Sequence, residues 1–254
     1  MCSPRRSPQP NASTSRACEL PPFNRTPRYL AAVGSRPGTH LLLDLERLGL
    51  LTVTGDRRRS GDLMRYLAAE LACNAWSDHA EVTVAGFDVT ETHQLIAVGG
   101  ERIEAATSIQ AAIDRIRRRA AQVVRSVDHL AAGDPLAGRI ADIAADAWMP
   151  HLLLVDHPNP DQTAALAALD ADLAATGRGG VAVVATAGRA IGRWSVDLDA
   201  DGRLTIAFLG LSGEDETTLS AAGLPRGELD TLADLLTRAR GTSVSRSPGH
   251  REDE

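Results

Sequence analysis

Leu50-Leu51-Thr52-Val53-Thr54-Gly55-Asp56-Arg57-Arg58-Arg59-Ser60-Gly61-Asp62-Leu63 is the stretch on which the fold turns. A short apolar run ends at a glycine, a polar stretch follows, and a helical stripe begins. Leu63, Tyr66, Leu67, Glu70 and Leu71 fall at i, i+3, i+4, i+7 and i+8, which predicts a helix over Asp62 to Cys73. Strand, polar loop and helix in that order is the layout of a phosphate-binding loop. In a working loop, backbone N–H groups surround the phosphates, a lysine reaches the β and γ groups, and a Ser or Thr hydroxyl holds Mg²⁺. Here five residues separate Gly55 from Gly61, where the motif has four. Asp62 takes the lysine position if Gly61 is the second glycine, and Gly61 takes it if Ser60 stands there. A carboxylate there repels phosphate, by about 1 kcal/mol at 4 Å even in water-like surroundings.

The basic residues sharpen this point. All 27 are arginine, and the chain contains no lysine. Any mechanism that requires a lysine is therefore excluded. The arginine fork does suit phosphate oxygens. Gly55, Arg57, Arg58, Arg59, Ser60 and Gly61, with Asp156 further on, are thus the candidate residues of a relic nucleotide or anion site. The plainer alternative is three arginines solvating an exposed loop. Asp156 enters because His151-Leu152-Leu153-Leu154-Val155-Asp156-His157 is an apolar strand ending in Asp, the shape of a Walker B strand. The carboxylate expected next is replaced by His157, which lacks the charge of a glutamate.

Outward from these two segments, strand and helix patterns alternate. His40 to Asp44 and Leu50 to Thr54 read as two strands or as a strand and a connection, and Glu81 to Phe87, His151 to Asp156 and Val181 to Ala185 read as strands. Ser108 to Leu130, Leu136 to Trp148, Asp161 to Ala175 and Arg226 to Arg240 read as helices. Trp194 to Leu198 and Leu204 to Leu209 flank Asp199-Ala200-Asp201-Gly202, a hairpin signal. The fold class expected is α/β: a mainly parallel sheet with flanking helices, a degenerate P-loop NTPase-like domain closed by a C-terminal β-hairpin and helix. The domain is expected over 38–240, with a disordered leader at 1–37 and a disordered tail at 241–254.

Leu41-Leu42-Leu43-Asp44-Leu45-Glu46, Leu50 to Asp56, Glu81-Val82-Thr83-Val84-Ala85-Gly86-Phe87 and Trp148-Met149-Pro150-His151-Leu152-Leu153-Leu154 occur in this order. They resemble a central region of large actinobacterial membrane proteins that combine LysM and bacterial transcriptional activator (BTAD) domains. That region is itself similar to a degenerate FtsK/HerA-like ATPase core. The resemblance implies a cytoplasmic regulatory or scaffolding module. The chain shows no transmembrane, LysM or activator segment, so it is expected to be part of a split actinobacterial envelope or transcription regulatory protein, with a fragment or a stand-alone relative as the alternatives. Its expected partner is another protein, with association to a membrane protein as one form.

Other patterns argue mostly for absence. The net charge is -6 and aromatics are 3%, a poor match to wholesale nucleic-acid binding. Arg115, Arg117, Arg118, Arg119 and Arg125 make a basic patch on the long helix, interleaved with Asp114 and Asp128. It reads as a solvated face or a surface for an acidic partner. A DNA-associated regulator is the sharper alternative. Asp197 to Gly202 begins like a Ca²⁺ loop, but Phe208 stands where the bidentate carboxylate is needed. His151 and His157 are about 20 Å apart on a strand and cannot share a metal. No metal site, catalytic residue or resident cofactor is expected. Cys2, Cys18 and Cys73 include no CxxC pair, and Cys73 is expected to be a small buried apolar residue. Trp76, Trp148 and Trp194 are expected to be packing residues. The function expected is a non-catalytic interaction or regulatory module. The alternatives are nucleotide binding by arginine and a DNA-associated regulator.

Overall fold

The computed structural model describes residues 30–73, 80–141, 145–177, 179–209 and 218–244. Within them, ten strands form one sheet: β1 (Leu30–Arg36), β2 (Thr39–Asp44), β3 (Leu50–Gly55), β4 (Glu81–Ala85), β5 (Ile103–Ala105), β6 (His151–Val155), β7 (Val181–Thr186), β8 (Trp194–Leu198), β9 (Arg203–Thr205) and β10 (Thr218–Ala221). Their order is β2-β1-β10-β9-β8-β3-β7-β6-β4-β5. The six strands from β8 to β5 run parallel. The hairpin β8–β9 then turns the sheet antiparallel, and β10, β1 and β2 extend it.

Seven helices accompany the sheet among the described residues: α1 (Leu45–Leu48), α2 (Arg57–Cys73), α3 (Val89–Gly99), α4 (Ile109–Leu130), α5 (Pro135–Ile140), α6 (Pro160–Thr176) and α7 (Arg226–Val244). Both faces of the parallel part are covered, and this is why β6 and β7 are apolar at nearly every position. Side chains alternate across a strand. Leu152 and Leu154 therefore join Leu63, Leu67, Leu95 and Leu229 of α2, α3 and α7. Leu153 and Val155 join Ile113, Ile116, Leu166 and Leu169 of α4 and α6. The expected α/β class, with a mainly parallel sheet and flanking helices, is the observed one.

Several elements differ from the sequence reading. Leu30–Arg36 was expected within the leader, but it is strand β1, with Ala31 and Val33 fully buried. Flanking prolines and a polar end concealed it. The hairpin to β2 turns at Pro37-Gly38, where Gly38 has φ +75°. Helix α2 starts at Arg57 and not at Asp62, because its first turn presents arginines and no apolar stripe. Leu136 to Trp148 is not one helix. It divides into α5 and a 3₁₀ turn, Ala145–Trp148. The second hairpin strand stops at Thr205, and a 3₁₀ turn at Ala207–Leu209 sets Phe208 edge-on against Trp194, 5.1 Å between ring centres. Cys73, expected inside, is exposed at the end of α2. Helix α3 and strands β5 and β10 were not read from the sequence at all. Helix α7 continues to Val244, past the expected start of the tail. Trp76, Cys2, Cys18, residues 1–29 and residues 245–254 lie outside the described residues.

Candidate functional site

Ligands of open α/β sheets bind beyond the carboxyl ends of the strands, and there the β3–α2 junction is decisive. A single residue, Asp56, separates strand from helix. Its N–H donates to the Leu198 carbonyl at 2.7 Å. Its carboxylate accepts the Arg59 N–H at 2.9 Å, and its carbonyl accepts the Ser60 N–H at 2.9 Å. Asp56 is thus the N-cap of α2. The residues that would wrap a phosphate in an extended loop are wound instead into the first helical turns, and their own side-chain cap occupies one of the free N–H groups.

The sequence-predicted site residues separate into two sets. Arg57, Arg58, Gly61 and Asp156 line one cleft of about 590 Å³, together with Asp62 and Arg226. Gly55, Arg59 and Ser60 point elsewhere. Gly55 has φ +96°, and a Cβ built there would stand 2.0 Å from the Leu198 carbonyl oxygen. The close approach of β8 accounts for this glycine. Arg59 donates through Nε to the Ala200 carbonyl at 3.2 Å, clamping the hairpin turn. Ser60 is buried, with its Oγ 3.5 Å from the Thr54 carbonyl oxygen.

Behind the cleft lies a buried ionic network that the sequence did not announce. Arg65 donates to Asp62 Oδ1 at 2.5 Å, to Glu91 Oε1 at 2.6 Å and through Nε to the Leu224 carbonyl at 2.8 Å. Side-chain exposures are 5% for Arg65, 6% for Asp62 and 4% for Glu91. Arg226 of α7 reaches Glu91 at 3.1 Å and Asp88 at 2.8 Å. Asp88 also caps α3. The Glu91 N–H bond to its carboxylate holds its pKa below the usual carboxylate range against some desolvation, and Arg226 lowers it further. Arg65 thus joins α2, α3 and the chain entering α7. Asp62, at the position read as the lysine of the motif, serves as its counterion.

Just past β6, the Asp156 carboxylate accepts the Thr186 hydroxyl at 2.8 Å, and that same hydroxyl oxygen accepts the His157 N–H at 2.9 Å. His157 has φ +50°, with Nε2 3.4 Å from Asp156 Oδ1. Among the described residues no group of three or more His, Cys, Asp or Glu side chains is placed to hold a metal ion. At the hairpin, Arg203 bridges Asp199 and Asp201 at 3.6 and 3.2 Å.

The opposite, N-terminal edge of the sheet holds a second polar site. Parallel register sets Glu81 beside His151 and Thr83 beside Glu104. Glu81, Glu104 and His151 line a cleft of about 740 Å³ with Glu101, Arg102 and, from α4, Arg115, Arg118 and Arg119. The Thr83 hydroxyl donates to Glu104 at 2.8 Å, and His151 Nε2 lies 2.7 Å from the same hydroxyl oxygen. The hydroxyl has one proton, so Nε2–H is the donor to Thr83. His151 Nδ1 faces Glu81 at 3.2 Å. Burial, then the nearby Arg115 and Arg119 guanidinium groups, push the His151 pKa down to about 4. The Glu81 carboxylate is 62% exposed and too well solvated to reverse this. Arg115 pairs with Glu104, and Arg119 donates to the Met149 carbonyl at 3.1 Å. The basic patch of α4 is in large part internally paired, Arg117 included, which meets Asp114 and Asp172 at 3.5 and 3.4 Å.

No protein-family model matches the chain, and no curated protein does. Solved structures do. The conjugation coupling protein TcpA of pCW3, in monomer form with ATPγS, superimposes with a TM-score of 0.55 at 10% identity, over 82% of this chain and 70% of TcpA. ATPases 2 and 3 of EssC from Geobacillus thermodenitrificans give 0.56 at 12%, over 90% of this chain and 53% of that one. The cytoplasmic domain of EssC gives 0.57 at 11%, over 89% and 52%. The chain spans about half the length of either EssC structure. At these identities the likeness is one of fold, and the fold is that of P-loop ATPase domains.

Proposed function

We propose that this chain is a non-catalytic interaction or regulatory module built on a P-loop ATPase scaffold. One observation carries the reading: β3 passes into α2 through Asp56 alone, and the Asp62–Arg65–Glu91 network fills the space behind the junction. Catalysis of phosphoryl transfer is mostly positioning and electrostatic stabilisation of the transferred group. A helix cap has replaced the loop that would position it, and the lysine is absent from the whole chain. The module acts by binding another protein. Envelope or transcription regulatory complexes are the setting suggested by the sequence resemblance, and no helix among the described residues is long and apolar enough to cross a membrane.

A second reading draws on one specific feature. Arg57 and Arg58 lie on the first turn of α2 at the mouth of the cleft that also contains Asp156, and arginines on a helix N-terminus attract anions. Nucleotide bound there without turnover would fit that geometry. A thermal-shift series with MgATP, MgADP and MgGTP separates the two. Ligand at about 100 times its Kd stabilises by about 2.7 kcal/mol. We expect no shift and no ATP turnover above background. A shift lost in Arg57→Gln/Arg58→Gln establishes the second reading, and hydrolysis lost in Asp156→Ala overturns the non-catalytic one.

A further inference from the structure

The sheet ends in two unlike edges. At one end, β5 is blunted: it has three residues, and its central Glu104 is charged and bonded to Thr83 and Arg115. Short strands and charged side chains keep an edge from pairing with another chain. At the other end, β2 has six residues, Thr39-His40-Leu41-Leu42-Leu43-Asp44, and pairs only with β1 among the described residues. Three consecutive leucines fill its centre, and no proline interrupts it. The bulge of this hairpin falls at Val33 of β1 and leaves the edge strand regular. An edge of this kind presents a row of backbone N–H and C=O groups as a template for another strand. Leu42, at its middle, is 55% exposed.

The strand is complementary to itself. Side chains alternate along it, so His40, Leu42 and Asp44 share one face. Leu41 and Leu43 share the other, where Leu43 is buried and Leu41 packs against the core. Two copies joined antiparallel at this edge are related by a two-fold axis normal to the sheet, which keeps their helix-covered faces on one side and sets one residue opposite itself. With Leu42 on that axis, Leu42 meets Leu42, Leu41 meets Leu43, and His40 of each copy meets Asp44 of the other. Leucine pairs at the centre and a His–Asp pair at each end are favourable cross-strand neighbours. Asp44 is also the N-cap of α1, and accepting that bond does not remove its charge. Moving the axis to Leu41 or Leu43 sets Leu42 against His40 or Asp44 and loses the match.

We propose that β2 is a docking edge for a second copy of this chain, antiparallel about Leu42, which joins two ten-stranded sheets into one. The proposal does not depend on what the β3–α2 junction binds, and self-association is measured apart from nucleotide binding. The test is sedimentation equilibrium of the full chain over a concentration series. A reversible dimer is expected in the wild type. Leu42→Lys sets two like charges opposite each other, and His40→Asp sets carboxylates against Asp44, so each should weaken the dimer at least tenfold. His40→Arg keeps a cation opposite Asp44 and should dimerise at least as tightly as the wild type. Both positions are exposed, so the variants keep the fold, and matching circular dichroism at a concentration where the wild type is monomeric checks this. The register is tested in a Cys2→Ser/Cys18→Ser/Cys73→Ser background. Opposed residues of an antiparallel pair have Cα atoms about 4.5–5.5 Å apart, within reach of a disulfide. Leu42→Cys should therefore cross-link to its own copy on mild oxidation, and Thr39→Cys should not. A monomer at every concentration, whether β2 is left open or covered by another part of the chain, overturns the proposal. So does a dimer that withstands Leu42→Lys or His40→Asp, and so does a cross-link as efficient at residue 39 as at residue 42.

Discussion

The two ends of the parallel sheet use similar residues in opposite ways. At the carboxyl end, Arg65, Asp62 and Glu91 are buried and mutually bonded, with Arg226 reaching in from α7. At the amino end, the arginines of α4 face a larger cleft, and at least one carries no counterion among the described residues. The first arrangement holds helices together at a place where ATPase folds bind nucleotide. The second leaves Arg118 exposed and without an ion pair among the described residues. Charge alone therefore does not identify a binding site. Whether a carboxylate within the chain has already taken the cation is what matters.

The largest break in this comparison is expected at Arg65. Arg65→Ala removes the buried partner that Asp62 and Glu91 share and leaves them the more exposed Arg58 and Arg226, a change that costs up to about 3–5 kcal/mol. Urea denaturation should show it as a lower midpoint with an unchanged slope. A variant within about 0.5 kcal/mol of wild type would mean that water already solvates the network.

The amino end is probed by pH. The folded-state pKa of His151 is lowered to about 4, from about 6.5 in the unfolded chain. The folded state therefore prefers the neutral ring. Its contribution to stability is complete above about pH 6.5 and is lost as pH falls toward 4, a total on the order of 3 kcal/mol. His151→Gln keeps a donor and an acceptor but cannot titrate. Between pH 7 and 4 the variant should lose less stability than the wild type, and parallel profiles would refute the assignment.

Gly55 distinguishes a structural glycine from a phosphate-binding one. Gly55→Ala puts a methyl group against the Leu198 carbonyl at positive φ and should cost about 2–3 kcal/mol without any nucleotide present. The smallest effect is expected at the helix start. Arg57→Gln and Arg58→Gln should each change stability by less than about 0.5 kcal/mol, as solvated surface positions do. A larger loss at Arg58 would give more weight to its 3.5 Å contact with Asp62.

The parallel half of the sheet was legible because its signals are local. Leu152 to Val155 and Val181 to Ala185 are continuous apolar runs, and α4 carries a clear apolar stripe. Strand β1 and helix α3 were not legible. Each buries only a few side chains, and what stabilises them comes from distant segments: β1 is held between β2 and β10, and α3 between α2 and α7. The candidate site was legible only in part. The spacing of Gly55 and Gly61 and the missing lysine could be read directly. The pairing of Arg65 with Glu91 joins residues 26 apart, and no periodicity signals such a contact.

By itself the sequence determined that no lysine side chain can meet a phosphate anywhere in this protein, and that strands and helices alternate around a sheet covered on both faces. Composition and short-range periodicity are enough for both. Only the tertiary structure decided that Asp56 closes α2 as a cap, that Asp62 turns inward to Arg65, and that Glu81, Thr83, Glu104 and His151 come together. Those outcomes depend on strand register and on which helix end meets which strand, and they are fixed by packing between segments far apart in the chain.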